Sequence, residues 1–418
     1  MNMPIKYEPA IKSSKKWFPQ KKLEQPIPLK MTFLNSVFQY FEELGIIAFS
    51  RAVFLSTITA AMTSVLTGTM DLVYENSVSA IEGLQARFLQ QSDVFFLISN
   101  LFDPRYAFLV YSPLFFSLDW GIGKKIMWVT VIAEWVNQML KWALHGERPY
   151  WWIHETQVYN KTGISIPEIQ QFSLTCETGP GSPSGHSMVT AAVWYVLLDS
   201  FLRKYNFIQK GSINLMPKIC WLAYLILLTT VSASRVFIAA HFPHQCFIGM
   251  AVGWFVAYCL DNINHKQLST FHYCSITAGM LASALSMYGL LTAVGVDPMW
   301  SVGRAIKWCA KPEYVHLDTT PFFSMMRYCG FMFGMGFGFN SKSFRVNSKS
   351  KYTMAMRIAC AILSVGVCKL SEKVSLIKIN MFFFYVQAFL LNALLSYIMI
   401  AVVPVVVSKI WNKKQKAQ

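Results

Sequence analysis

Gly181-Ser182-Pro183-Ser184-Gly185-His186 leads straight into a largely apolar stretch that ends at Arg203-Lys204. Proline and a Ser-Gly pair make a turn, and a serine at that point suits a helix N-cap. The stretch behind it is long enough to cross a bilayer, at roughly 20 residues per crossing. A turn opening a membrane-length helix sets the expectation for the whole chain. Eight further runs share this character, giving nine at about 93–115, 122–142, 185–203, 217–237, 245–262, 271–293, 321–339, 354–371 and 380–407. The fold class read from this pattern is all-α, a polytopic membrane helix bundle.

Composition agrees. The chain is 54% apolar and 14% charged, against about 25% charged residues in a soluble domain. Its net charge of +16 is spread among the apolar runs, with no basic helix or aromatic-basic module, which argues against nucleic acid. The charge reads instead as a topology signal, since Lys/Arg excess marks cytosolic loops. With nine alternating crossings, Lys124-Lys125, Arg203-Lys204-Lys210, Lys342-Arg345-Lys349-Lys351 and Lys413-Lys414-Lys416 fall on one side, the cytosol. Lys307, Lys311, Lys373 and Lys378 run against that asymmetry. The segments holding Arg148 to His186 and Arg235 to His241 then face the other compartment. The sequon at Asn160-Lys161-Thr162 lies on that face, where N-glycosylation occurs.

Residues 1–69 form a basic extension, Lys- and Pro-rich over 1–30 and expected to be disordered. Within it, 45–68 is apolar but broken by Arg51, and suits a tenth crossing, a signal anchor or an amphipathic surface segment. Residues 70–411 read as one membrane domain and 412–418 as a cytosolic tail. The nine cysteines show no CxxC pair and no metal-type Cys/His spacing. Cys176 and Cys309 fall in same-side segments, which leaves a disulfide between them open.

The polar residues around the opening run carry the chemistry. Lys141 and Arg148-Pro149 stand upstream, and Ser234-Arg235 and His241 downstream. A phosphate monoester is a dianion that needs cations and N–H donors around its oxygens. Arg148 and Arg235 offer guanidinium forks, Lys141 a point charge, Ser184 a hydroxyl, and Gly185 a backbone that approaches closely. The helix start at 184–186 adds its positive end. Singly, each residue has an ordinary reading: a turn and cap, interfacial anchors, a headgroup contact. Jointly, in this order and spacing, they read as a phosphate site. Two histidines, His186 and His241, suit two tasks, a neutral imidazole as nucleophile and a proton donor for the leaving oxygen. Neighbouring cations depress an imidazole pKa and a phosphate dianion raises it, which can set the two apart. Arg235 and His241, six residues apart, do not share a helix face. Phe242-Pro243 places the helix end near 235–239 and His241 in a short connection. Glu134 and Asn137 share the Lys141 face of their helix, with Glu134 suited either to orienting that polar end or to interhelical hydrogen bonding. His145 and His154 read as loop residues, and His244 as a second partner for His241.

These residues resemble the three-part signature of the type-2 phosphatidic-acid phosphatase and vanadium haloperoxidase superfamily. The signature stands here as Lys141-x6-Arg148-Pro149, Pro183-Ser184-Gly185-His186 and Ser234-Arg235-x5-His241. The longer strings Arg148-Pro149-Tyr150-Trp151-Trp152, Cys176 through His186, Ala240 through Gln245 and Lys307 through Phe322 resemble the glucose-6-phosphatase catalytic-subunit family, over about 70–411. The resemblance implies nine spans and a lumenal active site in the endoplasmic reticulum membrane. It implies hydrolysis of glucose 6-phosphate to glucose and phosphate, in the service of glucose homeostasis, with substrate delivered by a separate glucose-6-phosphate transporter. It implies His241 as nucleophile through a phosphohistidine and His186 as proton donor. Lys141, Arg148, Ser184, Gly185 and Arg235 become substrate-binding residues, with no metal and no cofactor. The wider superfamily carries an acid four residues after the second histidine; here that residue is Gln245. Gln245 can orient an imidazole but cannot balance its charge, which favours the sugar branch over the lipid one. Sugar specificity is assigned to 150–180 and 305–322, where Trp151 and Trp152 suit either stacking on a pyranose or an interfacial aromatic belt. Rival readings are a lipid phosphate phosphatase, a weakly active paralogue and, lowest, a transporter, whose charges would cluster at the midplane.

Overall fold

The structure is a computed structural model that describes residues 68–163, 165–205, 215–261, 268–316, 319–374, 376 and 380–417. The expected extension, with its 45–68 run, lies outside the described residues as far as residue 67. Among the described residues every regular element is a helix, and the one β-bridge is isolated, Glu177 to His316.

The helices used below are α1 (Gly68–Phe88), α2 (Ser92–Leu101), α3 (Ser112–Leu118), α4 (Trp120–Leu144), α5 (Pro149–Glu155), α6 (Gly185–Lys204), α7 (Leu215–Phe237), α8 (Pro243–Asp261), α9 (Thr270–Ala293), α10 (Trp300–Trp308), α11 (Pro321–Asn340), α12 (Met354–Ser371), α13 (Met381–Tyr397) and α14 (Val403–Ala417). All nine predicted runs are helical, but one is not continuous. The 93–115 run breaks at Phe102–Asp103, where Asp103 adopts an extended conformation and its side chain accepts from the Arg105 N–H. Pro104 follows and cannot continue the α2 ladder. A short helical turn and a π segment, Ala107–Tyr111, then lead to α3. Among the described residues, four helical stretches are long and apolar enough to cross a membrane: Leu215–Phe237, Thr270–Ala293, Met354–Ser371 and Phe382–Lys413. α4 falls short because Lys124, Lys125, Glu134 and Lys141 interrupt its apolar sequence.

α7 shows the inside-out logic of the bundle. Leu222, Leu225 and Ile226 are exposed, while Ser232, Ser234 and Arg235 are buried. Polar residues of membrane helices face the bundle interior because lipid offers them no partner. α6 lies at the centre of the site, packed on α4, α7 and α8. The α6–α8 contact is backbone-close. A Cβ on Gly249 would sit 2.6 Å from the Ser184 carbonyl, and one on Gly253 2.1 Å from that of Met188. Two glycines four residues apart let membrane helices approach in this way, and the first fixes α8 against the start of α6.

Candidate active site

The site is built where α4 and α7 end and α6 begins. Lys141 lies in the last turn of α4, before His145 caps the helix in a left-handed conformation (φ 47°). Arg148 is the extended N-cap of α5, with Pro149 at the first helical position. Ser184 caps α6, and Gly185 and His186 form its first residues. α7 ends at Phe237, within the window read from the sequence, and a Schellman-type turn follows. Ala240 N–H donates to Arg235 O at 3.1 Å and Ala239 N–H to Val236 O at 2.9 Å. Ala239, in the left-handed region at φ 55°, turns the chain so that His241 returns toward Arg235 and its N–H reaches the same carbonyl at 3.3 Å.

Arg148 is fully buried and ties the site segments together. Its Nε donates to Gly179 O at 2.7 Å, Nη1 to Ala240 O at 2.8 Å and Nη2 to Pro180 O at 3.3 Å. Nη1 also lies 3.3 Å from His241 Nε2. On the other face of His241, Nδ1 is 2.8 Å from Gly181 O and 3.3 Å from Gln245 Oε1. A carbonyl only accepts, so the neutral ring carries its proton on Nδ1 and presents the Nε2 lone pair. The Gly181 main chain is thus the nearer orienting group, with the Gln245 amide behind it. Gln245 meanwhile donates to Glu147 O at 2.6 Å. A Cβ on Gly181 would meet Glu147 O at 2.2 Å, so only glycine fits there. Burial, reinforced by the Arg148 guanidinium, pushes His241 down to about 3.

Sequence reading missed Glu177. Its carboxylate pairs with Arg235 and lies 3.0 Å from Arg148 Nη2. It stands 3.8 Å from His186 Nδ1 and 3.7 Å from His241 Nε2. Burial alone would raise the Glu177 carboxyl, but Arg235 and Arg148 together hold it well below the usual carboxylate range. Four of the predicted residues therefore converge on one anion. Lys141 is beside them, its Nζ 3.6 Å from where a Cβ on Gly179 would lie, and it forms no ion pair or hydrogen bond among the described residues. Arg235 Nη1 donates to Ser99 Oγ on α2 at 2.6 Å. Ser184 and Gly185 stand at the start of α6. The Ser184 N–H donates to Gln245 O at 3.1 Å, and Ser187 Oγ lies 3.4 Å from the Ser184 hydroxyl. A small cleft, partly open to solvent, leads outward from His186, Glu177 and Arg235 past Ser99, Asn100, Asp103, Arg105, His316 and Thr319.

The strap that carries Glu177 is pinned on both sides. Cys176 forms a disulfide with Cys309, 133 residues away. His316 N–H donates to Cys176 O at 3.1 Å, Thr178 N–H to Thr319 Oγ1 at 3.0 Å, and Ser301 Oγ to Thr178 O at 2.9 Å. Tyr150 Oη donates to Glu177 O at 2.9 Å.

Several expectations need correction. His244 is no partner of His241; its ring packs on Phe242 and Tyr74 and its Nδ1 has no hydrogen-bond partner. Of the two readings of Glu134, the interhelical one holds: it pairs with Arg327 of α11 at 3.2 Å. Trp151 and Trp152 serve neither as a sugar platform nor as an interfacial belt. Both are buried in an aromatic core with Tyr74, Tyr150, Tyr159 and Phe242. His145 stacks on Trp300, and His154, which lies in α5, on Trp308. Asn160 is exposed, in a short helix at Val158–Thr162. No group of three or more His, Cys, Asp or Glu that could hold a metal occurs among the described residues.

Residues 123–268 match the family model of the PAP2 superfamily. The chain is 36% identical over 354 residues to human Glucose-6-phosphatase 2, covering 83% of this chain and 99% of that one. It is 35% identical over 352 residues to Glucose-6-phosphatase catalytic subunit 1 of Rattus norvegicus, covering 83% and 98%. To the protein of the same name from Haplochromis nubilus it is 36% identical over 360 residues, covering 84% and 99%. No solved structure matches the chain significantly.

Proposed function

The chain belongs to the glucose-6-phosphatase family, and from that membership we propose that its site hydrolyses glucose 6-phosphate to glucose and phosphate. It is a phosphoric monoester hydrolase. The observation that carries the mechanism is the convergence of Arg148, Arg235, His186 and His241 on one carboxylate, within 3.8 Å. The same groups suit a phosphate in that place.

In the proposed reaction Arg148, Arg235 and Lys141 neutralise the phosphate, with the Ser184 hydroxyl and the Gly185 N–H at the start of α6. The Nε2 lone pair of His241 attacks phosphorus, and the bond from phosphorus to the sugar oxygen breaks. His186 gives its proton to the departing oxygen, and glucose leaves. Water then attacks the phosphohistidine while His186 takes its proton. The nitrogen–phosphorus bond breaks, phosphate is released, and His241 is again neutral. The Gly181 carbonyl holds Nδ1–H throughout.

The leaving group must lie beside His186, and the cleft there is lined by hydroxyl, carboxamide, carboxylate, guanidinium and imidazole groups, with Leu174 as its apolar member. The polar groups of that lining suit a polyhydroxylated alcohol, which supports a sugar phosphate over a lipid phosphate. We extend the reading to nine crossings in the endoplasmic reticulum membrane, a lumenal site, glycosylation at Asn160, and substrate supplied by a glucose-6-phosphate transporter. Residues 412–418 serve as a cytosolic retrieval tail. Phosphate release by the purified protein from glucose 6-phosphate and from phosphatidate tests the assignment. The expected outcome is preference for the sugar ester and loss of turnover in His241→Ala. A strong lipid preference refutes it, and equal background release from both proteins would mark a paralogue without the activity.

A further inference from the structure

Glu177 has no task in the steps above, yet its carboxylate engages the groups assigned to the phosphoryl. A carboxylate and a phosphate present similar oxygen pairs to a guanidinium fork, and two anions cannot share one buried cationic site without strong repulsion. One of them must leave. The backbone of Glu177 is pinned by the Cys176–Cys309 disulfide and by the hydrogen bonds of Glu177 and Thr178 to Tyr150, Ser301 and Thr319. Side-chain rotation is the movement left to it. The open space beside that side chain is the cleft toward Asn100 and Asp103.

We propose that Glu177 is an internal competitor for phosphate, whose carboxylate rotates off Arg148 and Arg235 when a phosphate ester enters and returns to expel the product. The proposal rests on the phosphatase reading. A buried site with three cations holds inorganic phosphate tightly, so release of the product threatens to limit turnover. A tethered anion acts at an effective concentration set by its tether, on the order of millimolar, and needs no diffusion to arrive. The ester offsets this competition through contacts of its sugar in the cleft. Inorganic phosphate has no such contacts and is displaced. Glu177 therefore discriminates substrate from product by the sugar contacts that inorganic phosphate lacks. It stays ionised because Arg235 and Arg148 outweigh its burial.

Calorimetric titration of inorganic phosphate into the full-length protein in detergent tests this, using wild type, Glu177→Gln and Glu147→Gln. Glu147 pairs with Arg304 outside the site and controls for net charge. Glu177→Gln should bind phosphate about tenfold more tightly or better, the factor by which a mostly closed site weakens a ligand. Its kcat and KM should fall together, with glucose released in a burst ahead of phosphate. Glu147→Gln should stay within about threefold of wild type. Equal tightening in both variants, or none in Glu177→Gln, overturns the proposal. The wild type gives a second readout that needs no variant. Its infrared difference spectrum on adding phosphate should show a carboxylate band leaving its arginine-paired position, and an unchanged carboxylate region overturns the proposal. Phosphate binding is read without any sugar, so a different ester specificity leaves these outcomes unaffected. No phosphate binding by any of the proteins would overturn the phosphatase reading itself, and this proposal with it.

Discussion

Replacing Arg148 by lysine separates two roles that the structure gives one side chain. The substitution keeps the charge and removes the fork. Arg148 donates to Gly179 O at 2.7 Å, to Ala240 O at 2.8 Å and, more weakly, to Pro180 O at 3.3 Å. These carbonyls lie in two segments, 176–184 and 238–242, and a single ammonium cannot span both. One strong charge-assisted bond is lost outright, and a buried carbonyl loses its donor. Charged hydrogen bonds contribute about 1.5–3 kcal/mol and an orphaned buried group costs about 1–3 kcal/mol. The folded state should therefore lose ~3 kcal/mol, a fall of about 5 °C or more in the melting midpoint. Activity should drop further, by about 100- to 1,000-fold in kcat/KM, because His241 loses its neighbour and the phosphate loses its fork. The assay is thermal unfolding in detergent alongside phosphate release from glucose 6-phosphate. A variant that melts like wild type but is inactive would show that the carbonyl bonds add nothing and that Arg148 is a phosphate ligand alone. Retention of more than about a tenth of the activity would remove the role as phosphate ligand.

The two histidines should separate with p-nitrophenyl phosphate, whose leaving group needs no proton. His241→Ala should be inactive on both esters. His186→Ala should lose about 100- to 10,000-fold on glucose 6-phosphate yet still take phosphate from the nitrophenyl ester, accumulating acid-labile phosphoprotein; equal losses on both esters with no phosphoprotein would reject the assignment. For His241 the folded pKa of about 3 lies below its unattached value of 6.5, so its contribution to stability is complete above about 6.5 and is lost as pH falls toward 3. In phosphate-free protein, acid unfolding of His241→Gln should be flatter than wild type over that range, and superimposable curves would contradict a neutral buried imidazole. Reduction, or Cys309→Ser, should lower stability by about 3 kcal/mol and depress turnover by loosening the strap; unchanged melting and activity would show that the hydrogen bonds alone hold it.

The helices and most of the site were legible because both depend on local pattern. Apolar runs of membrane length marked the long helices from α4 onward but not the polar α1, and the motif spacing brought Arg148, His186, Arg235 and His241 together. The break at Phe102–Asp103 escaped an average over the run, although Asp103-Pro104 is a cap-and-stop signal that a residue-level reading could have used. Glu177 was hidden for a different reason. It sits inside a quoted motif, but the nearest arginines in sequence, Arg148 and Arg203, are more than 25 residues away, so nothing local shows that tertiary folding will aim it between two guanidiniums. Ser99, Asn100 and Asp103 were missed because α2 reads as an ordinary crossing, and only packing against α7 brings its end to the cleft. Trp151 and Trp152 misled because aromatic pairs suit a sugar, a membrane boundary or a core equally well in sequence.

The pinned strap also bears on how the protein is made. Every side chain proposed to touch phosphate has left the ribosome once His241 has emerged, yet Cys309, His316 and Thr319 follow only after two further long helices. Until they arrive, the strap with Glu177 has neither its covalent nor its hydrogen-bonded anchor on that side. A nascent chain stopped after α8 would hold the full signature and an unfinished pocket. Maturation is then timed by the later loop, so hydrolysis should begin only once residues 309–319 have docked, well after the signature itself is complete.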